Sequence, residues 1–322
     1  MSSGAAAGSV VTGAIDIGGT KIAVGAIDAS GRVLGRADTP TSARGGFEAA
    51  MLRIGDLLDT VRSSVGVELC GIGIGCTGPV DPLSGKIGQV EFLPGWQGAN
   101  PVATLAGRFG LSVALENDAD AAVLGELQWG AGRGRRNLIC VTIGTGIGGG
   151  IVLNGALYRG VGGAHPEVGH HVIDDSGPVC YCGARGCWEV LASGPAIAAR
   201  ARAALPANDS QRNTLTAAEL CARARRGDTQ AKAEVARAGR YLGIGIANLI
   251  TLYAPDAIVL SGSVMESSDL FMPVIREVVR HQCTQVPADQ VELAVAALGN
   301  EAPLIGAAAA WRHRYPGGTR PC

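Results

Sequence analysis

The sequence has few aromatic residues, almost no net charge and no block of basic residues. Its 322 residues include four Trp, five Tyr and four Phe, and 27 Lys and Arg nearly balance 28 Asp and Glu. Charge therefore gives no reason to expect nucleic acid or a membrane surface as a partner. One apolar segment, residues 241–260, has the length of a membrane span, but Asn248 and Pro255-Asp256 interrupt it. That pattern favours a core helix followed by a buried strand.

Secretory features are also missing. The first residues show neither the basic start nor the long apolar core of a signal peptide. Nine cysteines are present, and outside one group of three they stand singly in apolar or helical contexts, as reduced core cysteines do. We therefore expect a cytoplasmic globular protein that is long enough to bury a sizeable core.

The three grouped cysteines are Cys180, Cys182 and Cys187, and His170 precedes the first of them by ten residues. Three thiolates and one imidazole form the ligand set of a closed, structural Zn²⁺ site with no position left for water. Glycines between the last two cysteines allow the tight turns that such a site needs. The alternative is that these cysteines are ordinary buried or disulfide-bonded residues.

Polar side chains that could serve a binding site occur at two places. Glu167 and Glu189 flank the cysteine group, where a metal would hold the surrounding polar pocket in shape. Asn117-Asp118 follows a predicted strand at residues 113–115 and precedes a predicted helix. A carboxylate at that position stays ionised and suits a general base for a hydroxyl proton. Capping of the helix is the alternative, because Asn and Asp commonly do this at helix starts.

A strand, a glycine-rich turn and a returning strand occur twice along the chain. The first copy covers residues 10–28 around Asp16-Ile17-Gly18-Gly19-Thr20-Lys21, and the second covers residues 138–153 around a turn at 142–150. Two facing units of βββαβ type would explain this repeat. Further strands are predicted at residues 32–36, 69–75, 257–260 and 291–294, and helices at residues 47–65, 119–130, 194–204, 215–226, 229–253, 270–283 and 303–315.

Both turns are candidates for binding phosphate. Glycines let backbone N–H groups approach phosphate oxygens, Thr20 offers a hydroxyl, and Lys21 offers a positive charge. A plain hairpin turn is the alternative for either one alone. The first turn is neither a Walker A loop nor a Rossmann fingerprint, because the glycine spacing and the following helix that those motifs require are absent.

The combined motifs resemble the ROK family of sugar kinases over nearly the whole chain. They are DIGGTK from Asp16, GPVD from Gly78, LENDADAA from Leu115, TIGTGIGGG from Thr142, EVGH from Glu167, CYCGARGCWE from Cys180 and LSGSV from Leu260. The resemblance implies an α/β chain with the two-lobed actin-like ATPase (ribonuclease H-like) fold, a cleft between the lobes and a zinc-binding loop. It implies a small lobe at residues 1–117, a large lobe at 118–302, and a C-terminal helix within 303–322 that packs back on the small lobe.

The resemblance also implies a role for individual residues. Asp118 is expected to be the catalytic base. The sugar is expected to contact Asn117, Asp118, Glu167, His170, Glu189 and Gly78. The phosphates are expected at Gly18, Gly19, Thr20, Lys21, Thr145 and Gly146, with Gly262 on the adenosine side and Asp16 orienting Mg²⁺. The zinc ligands are expected to be His170, rather than its neighbour His171, with Cys180, Cys182 and Cys187.

The implied activity is ATP-dependent phosphorylation of a hexose hydroxyl, with glucose as the first expectation, by a homodimer or tetramer. One departure leaves the sugar open: His165-Pro166 stands where glucose-type members have Ala-Gly, and this pair occurs in fructokinase-like branches. Fructokinase, mannokinase and N-acetylmannosamine or N-acetylglucosamine kinase remain alternatives. A sugar-sensing repressor is disfavoured, because about fifteen residues before DIGGTK are too few for a helix-turn-helix domain.

Overall fold

The computed structural model describes residues 10–41, 45–205, 209 and 212–317. Twelve strands are assigned within these residues: β1 Thr12–Ile17, β2 Lys21–Ile27, β3 Val33–Pro40, β4 Gly71–Cys76, β5 Val80–Asp81, β6 Lys86–Ile87, β7 Val113–Asn117, β8 Leu138–Ile143, β9 Ile147–Leu153, β10 Ala156–Leu157, β11 Ala257–Ser261 and β12 Glu292–Val295. The α-helices assigned there are α1 Gly46–Val65, α2 Pro101–Phe109, α3 Asp118–Trp129, α4 Trp188–Ala192, α5 Gly194–Ala204, α6 Ala217–Arg225, α7 Thr229–Tyr253, α8 Ser268–Gln282 and α9 Ala302–Arg314.

The chain forms two compact units, and the described residues of the first are 10–41, 45–134, 157–165 and 297–317. Its sheet has the order β3-β2-β1-β4-β7, in which β1 is antiparallel to β2 and parallel to β4. Helix α1 packs on one part of this sheet and α9 on another. The close approach of α9 depends on a glycine, because a Cβ at Gly73 would overlap the backbone carbonyl of Ala307.

The second unit consists of residues 135–156 and 166–296. Its sheet has the order β10-β9-β8-β11-β12, with β8 antiparallel to β9 and parallel to β11. Helix α7 forms the centre of the helical layer and packs against α8, α6 and α4. Each sheet therefore holds a glycine-turn hairpin followed by parallel strands, as the repeat in the sequence predicts.

The boundary of the first unit differs from the expected one. Residues 118–134 group with it because α3 packs extensively against α9. The buried carboxylate of Glu126, on α3, accepts hydrogen bonds from the backbone N–H groups of Ala131, Ala297 and Leu298 at 2.7, 3.2 and 3.1 Å. Helix α9 packs on β1 and β4 of this unit, and residues 318–322 of the expected C-terminal segment lie outside the described residues.

No helix in the described part of the chain is long and apolar enough to cross a membrane. The segment that raised this question divides into the end of α7 and strand β11, with Pro255 and Asp256 between them. The second strand of the glycine repeat is longer than predicted, because Gly148, Gly149 and Gly150 are paired with β8. The turn itself is therefore only Gly144–Gly146.

Candidate sugar-kinase site

The cysteine group and His170 converge in the second unit. The Sγ atoms of Cys180, Cys182 and Cys187 and a ring nitrogen of His170 all lie within 4.8 Å of one another. Cys182 Sγ is 3.5 Å from Cys187 Sγ, and Cys180 Sγ is 3.5 Å from His170 Nδ1. Zn–S bonds of about 2.3 Å place the sulfurs of a tetrahedral site a little under 4 Å apart. The four donors therefore fit Zn²⁺, and the predicted ligand set is brought together.

His171 is directed away from this cluster, as the choice of His170 requires. Its Nδ1 lies 2.6 Å from the Val168 carbonyl oxygen, and its ring packs against Trp188 with the centroids 5.4 Å apart. The loop that brings the thiols together turns at Gly183 and Gly186, whose φ angles are +93° and +71°. Side chains disfavour that backbone conformation, which explains glycine at both positions.

The other cysteines are mostly as expected. Cys76, Cys140, Cys221 and Cys283 are buried and form no disulfide. Cys70 is disulfide-bonded, so the expectation of a reduced thiol is wrong for this residue. A cysteine that stands singly in the sequence gives no signal of such pairing. Cys322 lies outside the described residues.

The EVGH segment lies close to strand β9. Its last three residues, Val168–His170, form a short 3₁₀ turn, and Glu167 directly precedes that turn. A Cβ at Gly169 would overlap the carbonyl oxygen of Ile147, so only glycine allows this approach. Glu189 lies in the first turn of α4 and accepts a hydrogen bond from the Ile147 N–H at 2.8 Å. Three of the predicted sugar ligands, Glu167, His170 and Glu189, are thus carried by segments anchored next to the second glycine turn.

That second turn borders a cavity of about 410 Å³ in the same unit. Gly144 and Thr145 line one side, and the Gly194 N–H bonds the Gly144 carbonyl at 2.8 Å. Gly262 has a φ of +91°, and a Cβ there would overlap the carbonyl group of Ile143. Because glycine has no Cβ, residues 262–264 can approach the turn closely. The cavity wall combines apolar and polar groups from three helices and a 3₁₀ turn, including Ala198, Arg202, Leu215, Thr216, Cys221, Val264, Glu266 and Phe271. Its size is that of a small-molecule site.

The first glycine turn closes the β1–β2 hairpin in the first unit. The Gly18 N–H donates to the Lys21 carbonyl at 3.0 Å, and Thr41 Oγ1 donates to the Gly18 carbonyl at 2.7 Å. Thr20 and Lys21 are exposed beside it, with Lys21 Nζ 3.7 Å from Asp38. The predicted hairpin is therefore present, with the side chains of Thr20 and Lys21 exposed beside its turn.

Asp16, the second-to-last residue of β1, is a half-buried acid. Burial, and then the charge of Asp118, raise the pKa of Asp16 to about 7. An acid whose pKa is raised by burial and by a neighbouring carboxylate fits a position where a divalent cation would neutralise the negative charge. The expected Mg²⁺-orienting residue and the expected base thus interact within the first unit.

Asn117 and Asp118 lie where β7 ends and α3 begins. The Asn117 side chain caps the helix by accepting from the Ala119 N–H at 2.9 Å, and Asp118 Oδ1 accepts from the same group at 2.8 Å. Asp118 is exposed at the first helical position. Gly78 packs on this pair, because a Cβ there would lie 2.7 Å from Asn117 Nδ2. The two residues therefore cap the helix, as the alternative interpretation predicts, and the Asp118 carboxylate is still exposed.

Two site residues were absent from the sequence-based set. The Tyr181 hydroxyl is 2.9 Å from His170 Nε2, which leaves Nδ1 of that ring toward the thiols. Trp188 is fully buried and packs where Gly245 lacks a side chain. Tyr181 could have been found from the sequence, because it stands between the predicted zinc ligands Cys180 and Cys182. Only the tertiary packing shows the second.

Comparisons with known proteins agree with this geometry. The model of the ROK family matches residues 12–314. A glucokinase of Streptomyces coelicolor is 35% identical over 308 residues, which cover 91% of this chain and 95% of the relative. The ROK hexokinase structure from Thermus thermophilus has a TM-score of 0.80 at 34% identity, covering 96% of this chain and all of that one. A ROK family glucokinase from Streptomyces griseus, solved with glucose and AMPPNP, has a TM-score of 0.76 at 32% identity and covers 94% and 98%. The predicted actin-like α/β fold is confirmed.

Proposed function

Because the chain belongs to the ROK family, we propose that it transfers the γ-phosphoryl group of ATP to a hydroxyl of a hexose, with glucose as the first substrate. The glucokinase relatives and the structure with glucose and AMPPNP support this choice of sugar and donor. The implied product is glucose 6-phosphate. The predicted roles of the individual site residues are part of this proposal.

One observation carries the proposal. The predicted sugar ligand Glu189 is hydrogen-bonded at 2.8 Å to the N–H of Ile147, the residue directly after the Gly144–Gly146 turn. The same turn lines the cavity that would hold the nucleotide. The proposed sugar contact Glu189 and the proposed phosphate turn are therefore joined by one hydrogen bond, which supports the alignment that phosphoryl transfer requires.

Asp118 would accept the proton of the attacking hydroxyl. Its carboxylate is exposed at the start of α3, and the helix N-terminus favours its ionised form. A positioned base contributes roughly 10²–10⁴-fold to rate. Asn117 and Gly78, which pack on each other beside it, would orient the sugar together with Glu167, His170 and Glu189.

Two metals fit residues of this chain. Mg²⁺ bound near Asp16 would neutralise charge on the transferred phosphate oxygens. Gly18, Gly19, Thr20 and Lys21 in the first turn, with Thr145 and Gly146 in the second, would hold the phosphates by backbone N–H groups, a hydroxyl and an ammonium. Zn²⁺ on His170, Cys180, Cys182 and Cys187 would hold the loop that carries the sugar ligands. Gly262 and Ser263 would contact the adenosine side of the cavity.

A coupled ADP-release screen tests the activity. We expect purified protein with ATP and Mg²⁺ to turn over glucose faster than fructose, mannose, N-acetylmannosamine or N-acetylglucosamine. Asp118→Asn should bind glucose and lose about 10²–10⁴-fold in kcat. Polyphosphate in place of ATP tests the donor. Preference for another sugar would replace glucose, and absence of turnover with every sugar and donor would reject the kinase assignment.

Assembly and location complete the proposal. We expect a homodimer, which light scattering coupled to size exclusion would measure, and a tetramer is the other outcome named for the family. We expect a cytoplasmic protein, because Cys180, Cys182 and Cys187 must stay reduced to hold Zn²⁺; the disulfide at Cys70 is the observation that opposes this location. Direct imaging of a tagged chain checks this location.

A further inference from the structure

A buried ionic cluster lies in the first unit beside the proposed base. It consists of Glu116, Asp120, Arg159 and His165, and we call it the Asp120 cluster. We propose that the Asp120 cluster positions the segment that carries Glu167 and thereby sets the affinity for the sugar. This inference rests on the proposed function.

The cluster joins two carboxylates through one guanidinium. Arg159 Nη1 contacts Asp120 Oδ2, and Arg159 Nη2 contacts Glu116 Oε2. His165 Nδ1 lies 2.9 Å from the same oxygen of Asp120, although the angle there is outside hydrogen-bond geometry. The forked guanidinium is suited to hold two acceptors in fixed positions, whereas a lysine ammonium is a point charge.

The two carboxylates of the cluster are removed from water. The Asp120 side chain is fully buried, and the Glu116 side chain is 8% exposed. Asp120 Oδ1 has no hydrogen-bond partner among the described residues. Buried ion pairs are weak contributors to stability compared with apolar packing of the same volume. A buried acid with an unpaired oxygen is therefore better explained by the geometry that it imposes than by the stability that it adds.

Asp120 holds both ends of one loop. Arg159 begins the 159–165 loop and His165 ends it, and the Gly160 N–H bonds the Ala164 carbonyl at 2.8 Å across its neck. The tip is poorly anchored, because Val161 is 95% exposed and the following two glycines have φ of +64° and +81°. Glycines add backbone freedom. The side-chain contacts of Arg159 and His165 are thus what fixes this loop.

The chain leaves the loop directly into the proposed site. His165 is followed by Pro166 and then by Glu167, a proposed sugar ligand. On the other side of the cluster, Glu116 precedes Asn117-Asp118 and Asp120 follows two residues later. The cluster therefore includes direct sequence neighbours of the proposed base and also His165, which lies two residues before Glu167 in the chain.

The test compares Arg159→Lys with a matched control. Arg159→Lys keeps the charge but cannot hold both carboxylates in the fork. Arg108→Lys is the control, because Arg108 also bridges two carboxylates of the first unit, Asp56 and Asp59 at 2.7 and 2.8 Å, on the surface. We expect Arg159→Lys to raise the glucose KM at least tenfold, with kcat, the KM for ATP and zinc content changed less than threefold. Arg108→Lys should match the wild type.

Two further variants separate positioning from folding. Arg159→Ala should show a larger rise in glucose KM, and added guanidinium should reverse part of it. His165→Gln, which removes only the ring contact, should raise the glucose KM about fivefold, and it serves if the Arg159 variants do not fold. Wild-type KM in folded Arg159→Lys or His165→Gln would overturn the inference while leaving the kinase assignment intact. A wild type without hexose kinase activity would instead overturn the proposed function.

Discussion

The contact between Gly146 and Glu189 allows a selective test of the proposed sugar site. A methyl group on Gly146 would overlap Glu189 Oε2 and lie 3.2 Å from its Cδ. The obstructing atoms are the end of a flexible side chain rather than backbone, so Gly146→Ala should fold and displace the carboxylate. That displacement breaks the 2.8 Å hydrogen bond from the Ile147 N–H.

The expected magnitude follows from the loss of one placed carboxylate. A hydrogen bond to a charged group contributes about 1.5–3 kcal/mol. If Glu189 binds a sugar hydroxyl, Gly146→Ala should weaken glucose binding by roughly ten- to 150-fold. The effect should appear without nucleotide, because the change acts on the sugar contact itself.

Calorimetric titration of glucose into nucleotide-free protein measures this effect. Gly144→Ala is the matched control in the same turn, since its Cβ would meet only Ser263 Oγ at 3.7 Å, an ordinary contact. Gly144→Ala should bind glucose normally even if ATP binding changes. Equal glucose affinity in Gly146→Ala and the wild type would refute the role of Glu189, provided that the zinc content of the two is the same.

Three further predictions concern the metal and two buried acids. Cys182→Ser should lose zinc, measured by elemental analysis, and should raise the glucose KM. Cys283→Ser, which changes a buried thiol outside the cluster, should keep zinc. Retained zinc in Cys182→Ser would contradict the ligand set. Glu126→Gln should lower the free energy of unfolding, measured in urea, by about 3 kcal/mol. The reason is that one of the three backbone N–H donors to Glu126 would then face the N–H of an amide. Glu91→Gln, at an exposed position, is the control, and an equally small effect of Glu126→Gln would contradict the prediction. Burial raises the pKa of Glu116 from 4.5 to about 7, with Arg159 opposing the shift. The raised pKa therefore stabilises the fold fully below pH 4.5, and this stabilisation is lost as the pH rises through 7. Between these pH values the free energy of unfolding of the wild type should fall, relative to that of Glu116→Gln, by at most about 3 kcal/mol. Parallel plots of unfolding free energy against pH for the two proteins would contradict the shift.

The local part of the fold could be predicted from the sequence because its signals are local. Helix α7 was predicted with the bounds that it has, since a 25-residue periodic pattern ends at Pro255. Residues 148–150 were taken as part of a loop because three glycines lack β propensity, yet pairing with β8 makes them strand. Helix α2 was missed, since it is short and only Asn100 and Pro101 mark its start.

The sequence indicates the candidate site residues better than it indicates the residues that hold them in place. Cysteine spacing and the EVGH motif are enough to indicate the zinc ligands. The Asp120 cluster is invisible in the sequence, because Glu116 and Arg159 are 43 positions apart and each alone looks like a surface charge. The unit boundary at 134 rather than 117 has the same cause, since only the packing of α3 on α9 determines it.

The contacts of the zinc loop explain how a structural metal could influence phosphoryl transfer. His170 directs Nδ1 toward the thiols, which leaves Nε2 on the side of Tyr181. Cys187 directly precedes α4, so a metal held by it fixes the start of the helix that carries Glu189. Glu189 in turn holds the Ile147 N–H after the second glycine turn. Because Glu189 is joined to Ile147 by a short hydrogen bond and Cys187 directly precedes α4, loss of a metal at the four donors should shift the proposed sugar ligand and the proposed phosphate turn together.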